Sequence, residues 1–437
     1  MAEGDHPGGR VLGALIIVLA ALSAAEDLPP EVLLVAHTLQ ANKKLLDRLP
    51  QYTCLETISR SRPSRKGHKP EKLDVIHLDV GVGAHEEIYS WPGATAFSSE
   101  DLSTLVGHGL LASGLFQTFA ANLFIGDAGI VKAAGTSVIN GKKAFHFTYT
   151  IPSLRNTWTV NWLGAHGVVG EQGEFWVDGS DLTLLRLDVA AIDIPPNVPL
   201  QSLTLIIQYR TILSGSIRVL IPETAALRVL EWNGTLNQEA IDFSHCRAFE
   251  AESSLLAATS TTESLTKTIA HYEAQREILP GGLMFSVQLQ TPIQAGKTIV
   301  GDAVSAVLES PVKPPGREVI PKGAVLTGRI REFESLGDPP NTFIVGLELD
   351  ELTWPGHSAA FLARLFSMQP VPGIELTLSS EHVQKTISGG FQGNRTTVES
   401  IVPVAIPGVA TIFLQGAGAS LPKGFRMDWR TQEVGRR

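Results

Sequence analysis

Cysteine is nearly absent: the 437 residues hold two, Cys54 and Cys246. Two thiols cannot build a disulfide-rich scaffold or a four-cysteine zinc site. Basic residues are thin as well. Lys and Arg number 35 against 44 Asp and Glu, a formal charge of −9, and no basic block appears. A nucleic-acid binder draws its affinity from Lys and Arg that neutralise phosphates, so that class is set aside. Charged residues make up 18% and apolar ones 43%, a balance that fits a globular chain and not a disordered one.

Catalytic signatures are missing too. There is no Gly-x-Ser-x-Gly elbow, no phosphate loop and no dinucleotide fingerprint. His85-Glu86-Glu87 opens like a zinc-protease helix, but Tyr89 stands where the second histidine is due. The 12 histidines are scattered, and His357 and His382 have no ligand-spaced partner. Asp178 and Asp188 could be imagined as a carboxylate pair for acid–base work. Both fall in regularly alternating strands, where a solvent-facing or turn-capping Asp is expected. Asn233-Gly234-Thr235 and Asn394-Arg395-Thr396 fit the glycosylation pattern but carry little weight in a chain of bacterial type. No metal and no cofactor are expected, and the chain reads as a non-enzyme, with an unrecognised hydrolase ranked last.

What is present begins at the N-terminus. Arg10 precedes the apolar run 11–22, followed by Ser23-Ala24-Ala25 and then Glu26-Asp27. This reads as a secretory signal peptide over residues 1–25, cleaved after Ala25. An uncleaved anchor is the competing reading, but the run is short of the ~20 residues that cross a bilayer. No Cys follows it, so the chain does not read as a lipoprotein. The expected location is periplasmic or secreted, with no membrane span after cleavage. Export places the thiols in an oxidising compartment. A Cys54–Cys246 disulfide is then expected, against the alternative of two buried free thiols. It would tie the first strand of its domain to the last and close a loop worth on the order of 4–5 kcal/mol in the chain-entropy model.

The length allows two domains. Glu31–Leu49 carries Val32, Val35, Leu39, Leu46 and Leu49 at helical spacing before Pro50. Strands are expected at Tyr52–Arg60, Leu73–Val80 and Glu87–Trp91, and one or two short helices over Ser99–Phe124. Strands resume at Ile130–Ala134 and Lys143–Tyr149, with Asn140-Gly141 as a type I′ turn signal. Trp158–Leu163 follows, and then the most regular stretch of the chain. Phe175–Val189 is aromatic, β-branched or Leu, broken only by Asp178-Gly179-Ser180, and Leu203–Arg210 continues the pattern. Thr183, Leu185, Leu187 and Val189 share one parity, while Leu184, Arg186 and Asp188 take the other, as in a sheet covered on one side. More strands run to Phe249. Residues 252–279 are small and polar and read as a linker with a short helix. Beyond it Leu279-Pro280-Gly281-Gly282, Ile320-Pro321-Lys322-Gly323 and Leu421-Pro422-Lys423-Gly424 each precede an alternating run, like similar corners of a barrel or sandwich. Ser388–Thr397 is a glycine-rich polar loop.

Two resemblances follow from these residues. The N-terminal helix, a strand bearing Tyr52-Thr53-Cys54, short helices, Gly173-Glu174-Phe175-Trp176-Val177-Asp178 and Leu184-Leu185-Arg186-Leu187-Asp188 resemble, in order, the Lol-type periplasmic lipoprotein carriers. The resemblance implies a curved antiparallel half-barrel around a helical plug over residues 28–251. The segment from Gly281 to Arg329, with Val300-Gly301-Asp302-Ala303-Val304 and Ile320-Pro321-Lys322-Gly323, is similar to the β-barrel domain of TrbI-type conjugal-transfer proteins. It implies a β-barrel or sandwich over 280–437. The expected fold class is mainly β with a few helices (α+β). An apolar face in a half-barrel suggests a lipid or other apolar ligand, with Trp158, Phe175, Trp176, Leu185, Leu187, Ile207 and Tyr209 as candidate lining residues. The competing reading makes them a dry core. A structural role, with the C-terminal barrel docking an envelope protein partner, is the alternative function.

Overall fold

The structure, a computed structural model, describes residues 29–47, 50–63, 70–83, 87–94, 96–98, 101–116, 118–126, 129–215, 217–249, 277–336, 341–370, 374–377, 397–401, 406–416 and 418–433. The expected signal peptide and the expected linker helix, with His85, His382, Asn394 and most of the glycine-rich loop, lie outside these residues. Among the described residues no helix is long and apolar enough to cross a membrane.

The chain is mainly β with a few short helices. Helix α1 spans Pro30–Leu46. It is followed by β1 (Gln51–Pro63), β2 (Pro70–Val82) and β3 (Glu87–Ser90). Next come α2 (Leu102–Val106), β4 (Gly109–Ser113) and α3 (Thr118–Phe124). The segment 99–124 is thus helix–strand–helix, where sequence periodicity suggests helices alone. Then β5 (Ile130–Ile139), β6 (Lys142–Ile151), β7 (Thr159–Trp162) and β8 (Ala165–Val168) follow. The set closes with β9 (Gly170–Asp178), β10 (Leu184–Ile192), β11 (Leu200–Ser214), β12 (Ile217–Glu231) and β13 (Leu236–Phe249). Asn140 and Gly141 both take positive φ, as the type I′ turn between β5 and β6 requires.

Ten of these strands form one antiparallel sheet in the order β3-β2-β1-β13-β12-β11-β10-β9-β6-β5. The first long strand lies beside the last, and Cys54 on β1 is bonded to Cys246 on β13. The sheet alternates cleanly. Along β1, Tyr52, Cys54, Glu56, Ile58 and Arg60 are buried and their neighbours are not. That inner face is covered by α1, α2, α3 and a small sheet in the order β4, Thr397–Ile401, β7, β8. Trp158–Leu163 therefore belongs to the cover and not to the main sheet.

The C-terminal half builds a second sheet. Its order is Glu277–Ile278, His357–Ala360, Thr342–Trp354, Val325–Ser335, Ala303–Leu308, Met284–Leu289, Arg426–Gln432 and Leu362–Met368. The three Pro-containing corners share a conformation. Gly282, Gly323 and Gly424 all have φ near the left-handed region, at 92°, 86° and 84°. Pro321 and Pro422 accept from the amides of Ala324 and Phe425 across these turns. Leu279, Ile320 and Leu421, just before each Pro, are buried. A side chain at those glycines would strain the turn.

The halves interlock. Val300 pairs with the free edge of β2, accepting from His77 N at 2.9 Å and donating to Val75 O at 3.0 Å. Arg331 donates to Leu105 O at the end of α2 (2.9 Å), pairs with Glu348 (2.6 Å) and lies over the Trp91 ring. Thr397–Ile401 runs antiparallel to β4 and parallel to β7, so the cover of the first sheet is completed by a strand from the far end of the chain.

Candidate functional site: the interior of the half-barrel

Cross-strand register aligns the inner face into rows. One row runs Phe147, Phe175, Leu187, Ile207, Ala225, Ile241, Ile58 and Ile76 across eight strands. All eight are buried and apolar. The next row runs Tyr149, Gly173, Val189, Leu205 and Leu227, then turns polar at Glu239, Arg60 and Asp74. On the other side of the apolar row lies Glu56, between Phe243 and Leu78.

The cover presses aromatic rings onto these rows. Phe124 meets Phe175 edge-on at 5.3 Å and Phe116 meets Phe243 at 4.6 Å, while within the cover Phe119 meets Trp158 at 5.2 Å. Offset and edge contacts of this kind suit the ring quadrupoles. Helix α1 is pinned by Asn42, which donates to Leu182 O (2.8 Å) and accepts from Leu184 N (2.9 Å). The rings of α3 and the loop before it, together with α1, thus pack against the inner face.

The candidate lining residues separate accordingly. Phe175, Leu187, Ile207 and Tyr209 lie on the inner face, buried. Trp158 is also fully buried, but it belongs to the cover. Trp176 must be corrected. It follows Phe175 in an extended strand and so points outward, stacked on His146 at 4.7 Å with the Arg186 guanidinium 5.1 Å above its ring. Leu185 is only half-buried. A register shift between Leu184 and Arg186 brings Leu184 to the inner face in its place. Asp178 and Asp188 form no catalytic pair: Asp178 caps its own turn through Ser180, and Asp188 binds Arg186.

Polar groups on the inner face escaped the sequence reading. Arg60 grips Asp74 through two donors and also donates to His108 O (2.6 Å) and His108 Nε2 (2.8 Å). Gly109 follows His108, and a Cβ there would collide with the Arg60 guanidinium. Burial opposes the charge on Asp74, but Arg60 and His108 hold its carboxyl down at about 2. Glu239, opposite Arg60, is raised to about 8 by burial despite that neighbour. Glu171 on β9 is 1% exposed, neither carboxyl oxygen has a partner within the protein, and burial alone raises it to about 8.

That last group yields a pH prediction. The folded pKa of Glu171 lies above its unfolded value near 4.5, so the stability it permits is complete below pH 4.5 and is lost as pH rises towards 8. Glu171→Gln removes this loss. Urea melts at pH 5, 6.5 and 8 should show the variant gaining on the wild type as pH rises, by on the order of a few kcal/mol at pH 8. A gap that does not change with pH would contradict an unpaired carboxyl at this position.

Elsewhere, two open grooves of about 520 and 420 Å³ lie on the C-terminal half. In the first, Asp428 accepts from Ser286 and Ser367, and Glu309 pairs with Arg426. Those polar groups are satisfied by one another, and the half-barrel interior remains the better site.

The architecture is thus a curved antiparallel sheet whose inner face is covered by short elements. No protein-family model matches the sequence, and no curated protein matches it. Among solved structures the chain is similar to a LolA superfamily protein from Nitrosomonas europaea, at 9% identity over 49% of this chain and 93% of that one, with a TM-score of 0.27. It is similar to a DUF1329 family protein from Desulfovibrio piger, at 13% identity over 52% and 98%, TM-score 0.28. The lipoprotein LppX of Mycobacterium tuberculosis gives 11% identity over 48% and 91%, TM-score 0.19.

Proposed function

We propose that the chain is an exported, non-enzymatic cell-envelope protein whose half-barrel takes up a lipid or other apolar ligand when its cover moves aside. The observation that carries this reading is the unbroken apolar row across eight strands, covered by short pieces and not by a second large sheet. Helices α2 and α3 span Leu102–Val106 and Thr118–Phe124, and one of the two inner strands of the small sheet is borrowed from residues 397–401. Such elements hold few backbone bonds of their own and open at lower free energy than a long ladder. An acyl chain replacing Phe116, Phe119 and Phe124 would recover their burial at about 25 cal/mol per Å².

Native mass spectrometry of residues 26–437, purified without detergent, tests the reading. A reproducible extra mass that extracts into organic solvent supports it. A bare mass with no uptake of added phospholipid or fatty acid sinks it. In that case the second reading leads: an envelope interaction protein in which a TrbI-like C-terminal half docks a partner. Phe366, half-exposed at a bulge on the edge strand Leu362–Met368, favours that alternative.

A further inference from the structure

Outside the half-barrel, the groove of about 420 Å³ on the C-terminal half carries an aromatic wall and a rim of mixed charge that play no part in either proposed role. Its size falls in the range of small-molecule clefts. Three segments build it. The first is the short strand Glu277–Ile278, which runs parallel to His357–Ala360. The second is the hairpin tip at Pro355-Gly356, where Gly356 has φ 79° and Trp354 lies opposite His357. The third is the loop 312–320. Val312 and Ile320 close its ends by exchanging backbone hydrogen bonds at 3.0 and 2.8 Å, and Arg317 N donates to Pro314 O (3.3 Å) within it. Backbone pairing therefore holds the groove on all three sides.

Buried Leu279 and Ile320 give the groove an apolar floor. Trp354 and His357 stack with ring centroids 5.2 Å apart and 11° between their planes, and together they make one aromatic wall. Arg317 pairs with Glu277 at 2.6 Å, and His357 reaches Glu318 at 3.9 Å. These four side chains keep between 39% and 85% of their surface in water, so their polar groups are within reach of a ligand.

Two carboxylates beside a guanidinium and an imidazole favour neither an anion nor a cation. A guanidinium only donates and a carboxylate only accepts. A ligand that suits both must donate and accept through the same groups, and it must carry an apolar face for the aromatic wall. A neutral sugar ring does this. Its hydroxyls donate and accept, and its C–H bonds form a weakly positive face that suits the negative face of an aromatic ring. Hydrogen bonds from hydroxyls to charged partners are the stronger kind. A proline-rich segment also packs into aromatic grooves, but proline has no backbone N–H, so the two carboxylates would lose water with little in return.

We propose that this groove binds a neutral oligosaccharide: one sugar ring packs on the Trp354–His357 wall, and its hydroxyls are shared between Arg317 and the carboxylates of Glu277 and Glu318. The site lies on the other half of the chain from the half-barrel interior. It stands whether or not that interior takes up a lipid.

Cellotetraose, chitotetraose and maltotetraose are neutral probes, and the β-1,4 tetramers of glucosamine and glucuronate are charged ones of similar shape. Their binding to the full-length mature protein at pH 6 is followed by saturation-transfer NMR and calorimetry. At least one neutral tetramer should bind saturably at millimolar concentration, about threefold or more tighter than either charged tetramer. Trp354→Ala and Arg317→Gln should each weaken it about tenfold, and Trp354→Phe should stay within about threefold of the wild type. Arg317 is exposed, so its variant should fold normally even where Trp354→Ala does not. Trp232 is an exposed ring on the other half of the chain, and Trp232→Ala should change nothing. Absence of saturable binding by all three neutral tetramers overturns the site. So does a charged tetramer that binds as tightly, or a loss with Trp232→Ala equal to that with Trp354→Ala. Binding of an oligoproline peptide in place of the sugars, lost with Trp354→Ala, overturns it as well and assigns the groove to a peptide.

Discussion

Cys54→Ala with Cys246→Ala is expected to lower the free energy of unfolding by about 5 kcal/mol. The bond joins residues 192 apart in sequence. In the chain-entropy model a loop of that length restricts the unfolded chain by about 5 kcal/mol, and every strand from β2 to β12 lies inside it. The folded state has little to lose in return. β1 and β13 are already paired on both sides of the bond, from Thr53 with Arg247 and from Leu55 with Ser244. The small register shift between those pairs is where the bridge sits. Denaturant melts of the oxidised protein, the dithiothreitol-treated protein and the double variant check the claim. The last two should agree with each other and fall well short of the first. A double variant within about 1 kcal/mol of the oxidised protein would mean that the unfolded chain keeps β1 near β13 without the bond.

The sheet was legible because its physics is local. Period-two alternation from Phe175 to Val189, and the Asn140-Gly141 turn, predict strands and a hairpin without any knowledge of the rest. Pairing Cys54 with Cys246 followed from export and parity of number, and it also announced that β1 lies beside β13. The helix–strand–helix of the cover was harder. Leu110-Leu111-Ala112 is a short apolar run, which periodicity alone cannot divide between helix and strand. The signal was nearby: Gly107, Gly109 and Gly114 all take positive φ, with Gly109 opening β4 and the other two flanking it.

The candidate site was half legible, for a related reason. Choosing both Phe175 and Trp176 as lining residues ignored the alternation that made them a strand. The same parity, applied to β1, would have exposed the polar interior. Tyr52, Cys54 and Ile58 set the inward side, and Glu56 and Arg60 fall on it. On β2, Ile76, Leu78 and Val80 carry Asp74 inward in the same way. A charge on the apolar parity of a strand is the sequence signal for a buried ion pair. What no local pattern could supply is the partner. Arg60 meets Asp74 only after register is fixed, Asn42 meets Leu182 across 140 residues, and Thr397–Ile401 joins β4 from the far end of the chain.

Arg60 is also where a single substitution should be most damaging. Asp74 is ionised in the folded protein and Glu239 is not, so Arg60 and Asp74 together are neutral at pH 7. Arg60→Ala leaves one buried carboxylate without its cation and frees the His108 and Leu110 carbonyls that hold β4 to β1. Breaking one side of a buried pair costs about 3–5 kcal/mol, because the other charge remains desolvated. Arg60→Met with Asp74→Leu removes both charges, keeps the volume, and should restore most of that loss. Acid separates the two variants further. Asp74 has a folded pKa of about 2, below its unfolded value of 3.8, so its contribution is present above the unfolded value and is lost as pH falls through about 2. Wild-type stability should drop across that window, and the double variant should lack that component. A double variant as unstable as Arg60→Ala would assign the cost to the freed carbonyls and to packing around β4, and the cover of the half-barrel would then be held by hydrogen bonds to Arg60 more than by its charge.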